Sequence, residues 1–373
     1  MTAGSTKAPA LRGTVLALIS ALAFGVATPL LQRFGHGVGP FATAALLYAG
    51  AALVGLASRS RNEAKLRRAH APRVLAIAVL GAGLAPAALA WGLARASGTT
   101  ASLMLNLEAV FTIALARLLY KEHVGPRVMA AAALLVLGGA LLVFDRGPSA
   151  GATTGAIGLV AVAAASLAWA LDNALAKPLS ELDPAEVVAA KATIGAALST
   201  CVALSMGEPW PPFWPFLGLV VVGATGYGLS LRLYIMAQRA LGAGRTASVF
   251  ATAPFCGALL AWALGEHAGV MAILAGAVMI VGLVLHMTER HEHQHAHQVL
   301  AHEHAHRHDD GHHEHVHAPM PEGEHVHVHE HRELWHRHPH VPDLHHGHGH
   351  EEHGHPHEHP HPHRDPKDHE APS

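Results

Sequence analysis

Residues 95–123 read RASGTTASLMLNLEAVFTIALARLLYKEH, and residues 239–267 read RALGAGRTASVFATAPFCGALLAWALGEH. Laid over each other at a shift of 144 positions, Arg95-Ala96 falls on Arg239-Ala240, Gly98 on Gly242, Ala109 on Ala253, Phe111 on Phe255, Ala114 on Ala258 and Glu122-His123 on Glu266-His267. The same shift carries Gly138 to Gly282 and, upstream, Pro40 to Pro184. One constant shift holding over so many identities means that a single unit occurs twice. Working outward, everything before residue 289 belongs to that duplicated unit.

The material of the unit is that of a bilayer. With 51% hydrophobic and 14% charged residues among 373, and a mean hydropathy of +0.27, the chain is too apolar for an ordinary soluble domain. A hydrocarbon core about 30 Å thick needs about 20 apolar residues at a helical rise of about 1.5 Å each. Runs of that scale are centred near residues 22, 49, 84, 109, 136, 165, 197, 225, 253 and 278. They predict an all-α membrane protein of ten helices, arranged as two five-helix repeats. The first run follows Lys7 and Arg12 but lacks a small-residue cleavage site, and further runs follow at once, so it reads as a helix and not a signal peptide. Cys201 and Cys256 show neither zinc-site nor disulfide spacing and read as small buried side chains.

Charge divides the chain in two. Residues 1–288 hold 19 Lys and Arg against 10 Asp and Glu, whereas the remainder holds 6 against 17, together with 30 of the 35 histidines. The loop with Arg59, Arg61, Lys65, Arg67, Arg68 and Arg73 is the densest basic segment between helices, which assigns it to the cytoplasm. Counting onward places Lys121, Arg127, Lys177, Arg239 and Arg245 on the same side and only Arg33, Arg95 and Arg146 on the other. Both termini are therefore expected in the cytoplasm of an inner or plasma membrane. Five being odd, the second repeat is expected to be inverted relative to the first, with a substrate site between them. The expected divisions are a cytoplasmic N-terminus (1–12), a first repeat (13–145), a second repeat (155–288) and a tail (289–373).

Glycines such as Gly81, Gly83, Gly138-Gly139, Gly223, Gly226 and Gly228 read as packing residues that let helices approach closely in lipid. Pro29, Pro86 and Pro254 each remove a backbone donor inside or near the end of a run. Pro254, near mid-membrane, is the one expected to bear on gating. The paired Glu-His at the ends of the fourth and ninth helices, Ser166-Leu167-Ala168-Trp169 opening the second copy, and the block from Gly226-Tyr227-Gly228 to Pro254 resemble the EamA-like branch of the drug/metabolite transporter superfamily. That resemblance spans about residues 12 to 288. It implies ten helices, cytoplasmic ends and a central cavity lined mainly by helices 1, 3, 4, 6, 8 and 9. It also implies a structural role for the glutamates of the Glu-His pairs. Many members carry an arginine in the second helix; the matching places here hold Leu47 and Lys191.

Charges inside a bilayer cost on the order of 3 kcal/mol each, so each one marks a candidate site. Glu108 lies near the middle of the fourth helix, beside Asn106. Asp172 and Asn173 lie near the inner end of the sixth helix and Lys191 near that of the seventh, at similar depth, which permits an ion pair. Arg232 of the eighth helix completes the candidate cavity set, or snorkels to the interface.

From Glu289 the chain alternates histidine with one other residue and carries too little apolar content for a core, so it reads as disordered. Neutral imidazole ligates zinc, nickel, cobalt or copper, and a flexible chain gathers several rings around one ion. The candidate ligands are His291, His293, His295, His297, His302, His304, His306, His308, His325, His327, His329, His331, His336, His338, His340, His345, His346, His348 and His350. No cofactor is required by this reading. The expected partners are the bilayer, a small solute and transition-metal ions, with no nucleic acid, and a homodimer is compatible. The expected function is a secondary transporter exporting or exchanging a small metabolite or metal-linked solute. The alternatives are a membrane-anchored metal reservoir or sensor, and a divalent-metal carrier. No catalytic motif points to an enzyme.

Overall fold

The computed structural model describes residues 7–58, 65–120, 125–144, 152–179, 182–241 and 243–287, and four short segments of the tail. Ten helices are long and apolar enough to cross a membrane: α1 (Leu11–Phe34), α2 (Pro40–Ala57), α3 (Arg68–Leu93), α4 (Gly98–Leu119), α5 (Pro126–Val143), α6 (Thr154–Ala176), α7 (Pro184–Ser205), α8 (Phe213–Gln238), α9 (Arg245–Ala263) and α10 (Val270–Met287). Local chemistry sets several of their starts. Proline occupies the first turn of α2, α5 and α7, where its missing N–H would have no partner in any case. Ser97 caps α4 by accepting the amide of Thr100 at 3.1 Å, and Asp183 caps α7 by accepting that of Ala185 at 2.9 Å.

Packing follows the duplication. Helix α1 packs on α8 and α9, and correspondingly α6 packs on α3 and α4, while α2 meets α7 and α5 meets α10. Adding five to each helix of the first half reproduces the contacts of the second. Small residues make the tightest of these approaches. A side chain at Gly223 would run into the backbone of Leu47, and one at Gly50 into the backbone of Val220, so α2 and α8 touch main chain to main chain. The opposite surface is apolar, with Leu118, Phe213, Trp214, Leu259, Trp262 and Val270 each more than half exposed. Trp214, at the start of α8 and in edge contact with Phe213, has the amphipathic indole that favours a membrane interface. Cys201 belongs to this outward surface and Cys256 is partly covered. That corrects the expectation of two buried thiols: Cys201 faces the apolar solvent that a bilayer provides.

Two irregularities recur at matching places, and sequence periodicity did not reveal them. Helices α3 and α8 each contain a seven-residue π-helical turn, Ala78–Leu84 and Gly223–Leu229. Helices α4 and α9 are each broken midway, at Leu105-Asn106 and at Ala251-Thr252 just before Pro254. In both breaks a polar side chain reaches back three residues to a carbonyl. Asn106 Nδ2 donates to Leu103 O at 3.0 Å, and Thr252 Oγ1 donates to Val249 O at 2.7 Å. A broken helix is tolerated inside a membrane when its carbonyls regain partners in this way.

In the tail, the strands β1 (Glu292–His297) and β4 (Leu334–Pro339) pair antiparallel, as do β2 (Leu300–His306) and β3 (His325–His331). The alternation of histidine with one other residue has the two-residue period of a strand. Glu122, His123, Arg59, Arg61, Lys121 and Arg146, and the candidate ligands His291, His308, His340, His345, His346, His348 and His350, lie outside the described residues.

Candidate functional site

Acidic residues in the membrane part sort into two kinds. Near helix ends, Asp183 caps its own helix, Glu186 Oε2 accepts the amide of Leu66 at 3.1 Å, and Glu208 Oε2 accepts that of Ala42 at 2.8 Å. Glu266 binds the start of α4 through the amides of Gly98 at 2.9 Å and Thr99 at 2.8 Å. Asp183, Glu208 and Glu266 complete helix termini whose first amides lack partners, and Glu186 ties down the segment just ahead of α3. Among the described residues, Glu108 and Asp172 alone lie within spans and bind side chains instead.

Asp172 belongs to a face of α6 that also carries Trp169 and Asn173, three residues before and one after, a spacing that keeps all three together. Lys191 of α7 donates from Nζ to Asp172 Oδ2. The pair is deeply buried, with 2% of Asp172 and 5% of Lys191 exposed. Asn173 Nδ2 donates to Glu108 Oε1 at 2.8 Å, joining α6 to α4 just past the break of α4. Helix α3 supplies the floor. Gly81, within its π turn, lies against Asp172 so closely that a Cβ would overlap the carboxylate. Its carbonyl accepts both the Tyr48 hydroxyl at 2.5 Å, from α2, and the indole N–H of Trp169 at 3.0 Å. A π turn interrupts the regular hydrogen-bond ladder, and here two side chains from neighbouring helices use the same carbonyl.

Aromatic rings continue the site toward α1, α8 and α9. Phe24 touches Trp169, Tyr227 and Phe250, with centroids 5.7, 5.6 and 5.4 Å away, and Phe250 meets Tyr234 at 4.9 Å. Tyr227 also packs on Tyr48 at 5.6 Å. Below this cluster Ser20 and Ser230 exchange hydrogen bonds, each hydroxyl donating to the other's carbonyl at 2.7 and 2.9 Å, and so clasp α1 to α8. A separate open cavity of about 250 Å³ lies by the ends of α1 and α9, lined by Pro29, Gln32, Arg33, Ala261, Leu264 and Glu266.

Of the candidates named from sequence, the structure brings together Glu108, Asp172, Asn173 and Lys191. Asn106 engages a different neighbour, with its amide on Leu103 O and 3.7 Å from Met279 Sδ of α10. Arg232 is half-buried, and among the described interactions none joins it to the four. Tyr48, Gly81 and Trp169 were missed as a node. The signal available was Gly-x-Gly-Leu at 81–84, recurring at 226–229.

The profile of the EamA-like transporter family matches the chain twice, over residues 11–144 and 156–288. The chain belongs to that family. An uncharacterized transporter of Methanothermobacter thermautotrophicus is 27% identical over 231 residues, covering 61% of this chain and 67% of that protein. A solved crystal structure that is 22% identical covers 73% of this chain and 94% of its own, with a TM-score of 0.52, which supports the fold alone. As an EamA-like protein the chain is a multi-pass membrane protein of a transporter family. Its duplicated profile and its matched π turns and helix breaks give the same division into halves.

Proposed function

We propose that the protein is a secondary transporter of a small solute, its two halves inserted upside down relative to each other and its termini in the cytoplasm of the cell membrane. One observation carries the reading: the two intramembrane carboxylates cap no helix, Asp172 of α6 pairing with Lys191 and Glu108 binding Asn173, the next residue on α6, beside the matched irregularities of α3 and α4. A membrane anchor has no need of charge at that depth, and interrupted helices at corresponding places in two repeats are the usual sign of a binding site between them. Glu108 is the residue that meets the solute or a coupling ion, because Lys191 already neutralises Asp172. Asn173 orients it.

The histidine tail is an accessory on the cytoplasmic side that gathers transition-metal ions. Its composition supports this reading, and also the second one, a membrane-anchored metal reservoir that carries nothing.

Flux into inverted vesicles separates the two. Screened over amino acids, other metabolites and divalent metals, the wild type should carry at least one solute, and Glu108→Gln should lower that flux about tenfold or more, equivalent to roughly 1.4 kcal/mol. Metal binding with no flux of any solute would leave the reservoir reading standing alone.

A further inference from the structure

Three charged groups, Glu108, Asp172 and Lys191, share one small region, and their formal charges leave one negative charge over. Glu108 lies within electrostatic reach of both others. Phenols of Tyr48 from α2 and of Tyr227 and Tyr234 from α8 face the same region; with reference pKa values near about 10 they stay neutral and do not alter the count. No other Asp, Glu, Lys, Arg or His among the described residues acts on Glu108 or Asp172. Inside a bilayer the surplus charge is costly and calls for one cation.

The cation must be small. Asp172 is 2% exposed and its Oδ1 has no hydrogen-bond partner among the described residues. A buried ion pair is retained at least cost when its remaining lone pairs are satisfied; here one carboxylate oxygen is left bare. Gly81 packs against the Oδ2 side of that carboxylate, where a Cβ would overlap it, so the group is held in a tight fit. Hard metal cations gather about six oxygens, and among the described residues no group of three or more His, Cys, Asp and Glu is placed to hold a metal ion. A proton needs only the one oxygen.

We propose that Glu108, Asp172 and Lys191 act as a single proton-accepting unit, in which two carboxylates share one ammonium group and one exchangeable proton. This deepens the transporter reading and rests on it for its purpose. In the first arrangement Lys191 serves Asp172, as in the structure, and the proton resides on Glu108. In the alternative, the O–H bond on Glu108 breaks, an O–H bond forms at Oδ1 of Asp172, and Lys191 turns to the Glu108 carboxylate. The unit stays neutral throughout. Glu108 belongs to the first repeat and the other two residues to the second, so the position of the proton decides whether Lys191 pairs within its own repeat or across to the first. A solute amine entering at Glu108 would displace the proton, which is the exchange an antiporter requires.

The test needs no solute. Infrared spectra of the full-length protein in lipid bilayers at neutral pH report protonated buried carboxyl groups through their C=O stretch, to which histidine does not contribute. Wild type should show one protonated carboxyl per chain. Glu108→Gln and Asp172→Asn should each show none, since the remaining carboxylate then has Lys191 to itself, and Lys191→Met should show two. Absence of the band from wild type, or its survival in both carboxylate variants, overturns the proposal. If Lys191→Met does not accumulate, the two carboxylate variants decide alone. Solute flux in vesicles is scored separately: flux without the band refutes the unit, and the band without flux refutes the transporter reading.

Discussion

Glu266 holds Thr99 by two bonds, accepting the amide N–H and the side-chain hydroxyl of that residue, each at 2.8 Å. A carboxylate past the end of α9 therefore completes the start of α4, and the second half of the protein terminates a helix of the first. Gly265, with φ of 100°, makes the turn that returns Glu266 to this place. Glu266→Ala should cost about 1–2 kcal/mol of stability, in the range of a lost cap, and Thr99→Val about half as much. Thermal unfolding in detergent measures both; equal stability of all three proteins would reduce the contact to coincidence.

Gly81 and Gly83 share one π turn but differ in surroundings. A Cβ at Gly81 overlaps Asp172, whereas one at Gly83 meets its nearest neighbours at 3.7 and 3.8 Å, ordinary contact. Gly81→Ala should thus disrupt the Asp172–Lys191 pair and reduce transport strongly. Gly83→Ala should be neutral, or stabilising by about 0.5–1 kcal/mol through lower chain entropy. Matched effects of the two substitutions would show that the carboxylate is not held where the fold puts it.

The buried pair itself is open to a double-mutant cycle. Removing one partner of such a pair costs about 3–5 kcal/mol, because the other remains uncompensated. Asp172→Asn should be the milder single change, since Glu108 is within reach of the stranded lysine. Lys191→Leu should be the harsher, and the double change should cost less than the two together. Strict additivity, read from unfolding in detergent, would mean that the two residues do not support each other.

Reporters placed in the connections test the insertion. Fusions after residue 60 and after residue 290 should read cytoplasmic and a fusion after residue 148 external. A cytoplasmic signal at 148 contradicts the inverted arrangement.

For the tail, a peptide of residues 289–373 should bind several zinc or nickel ions at pH near 7.5 and release them as pH falls through about 6.5, where imidazole takes up a proton and ceases to be a ligand. Truncation after Thr288 should preserve insertion and flux while abolishing metal-dependent regulation. Loss of all flux in metal-free vesicles would make the tail part of the permeation path.

What the sequence disclosed depended on how local its signal was. Apolar length exposed all ten spans, and the cost of intramembrane charge singled out Glu108, Asp172 and Lys191 without any contact information. Depth along two helices brought Asp172 and Lys191 together. Partner choice was harder, because it depends on rotation about helix axes: Asn106 and Glu108 are two residues apart, yet one engages α10 and the other α6. The break at Leu105-Asn106, invisible to hydropathy, separates those directions. Gly81 was read as a packing residue, which it is, but its carbonyl also receives Tyr48 and Trp169. No side-chain pattern announces a backbone acceptor.

The π turn of α3 is in effect an α-helix holding one residue too many. Each α-helical residue advances the chain by about 100°, so expelling that residue at either end of Ala78–Leu84 would swivel one part of α3 against the other by about that angle, with hardly any bending. Gly81 would then present a different side to α6, and its carbonyl would no longer hold both Tyr48 and Trp169. Cross-links between cysteines placed on the two ends of α3 and their neighbours would register such a screw motion, and a rigid α3 would give one cross-linking pattern with or without solute. Since α8 carries the matching turn, each repeat holds one residue that could be expelled in this way, and the same cross-linking applied to α8 would test it there.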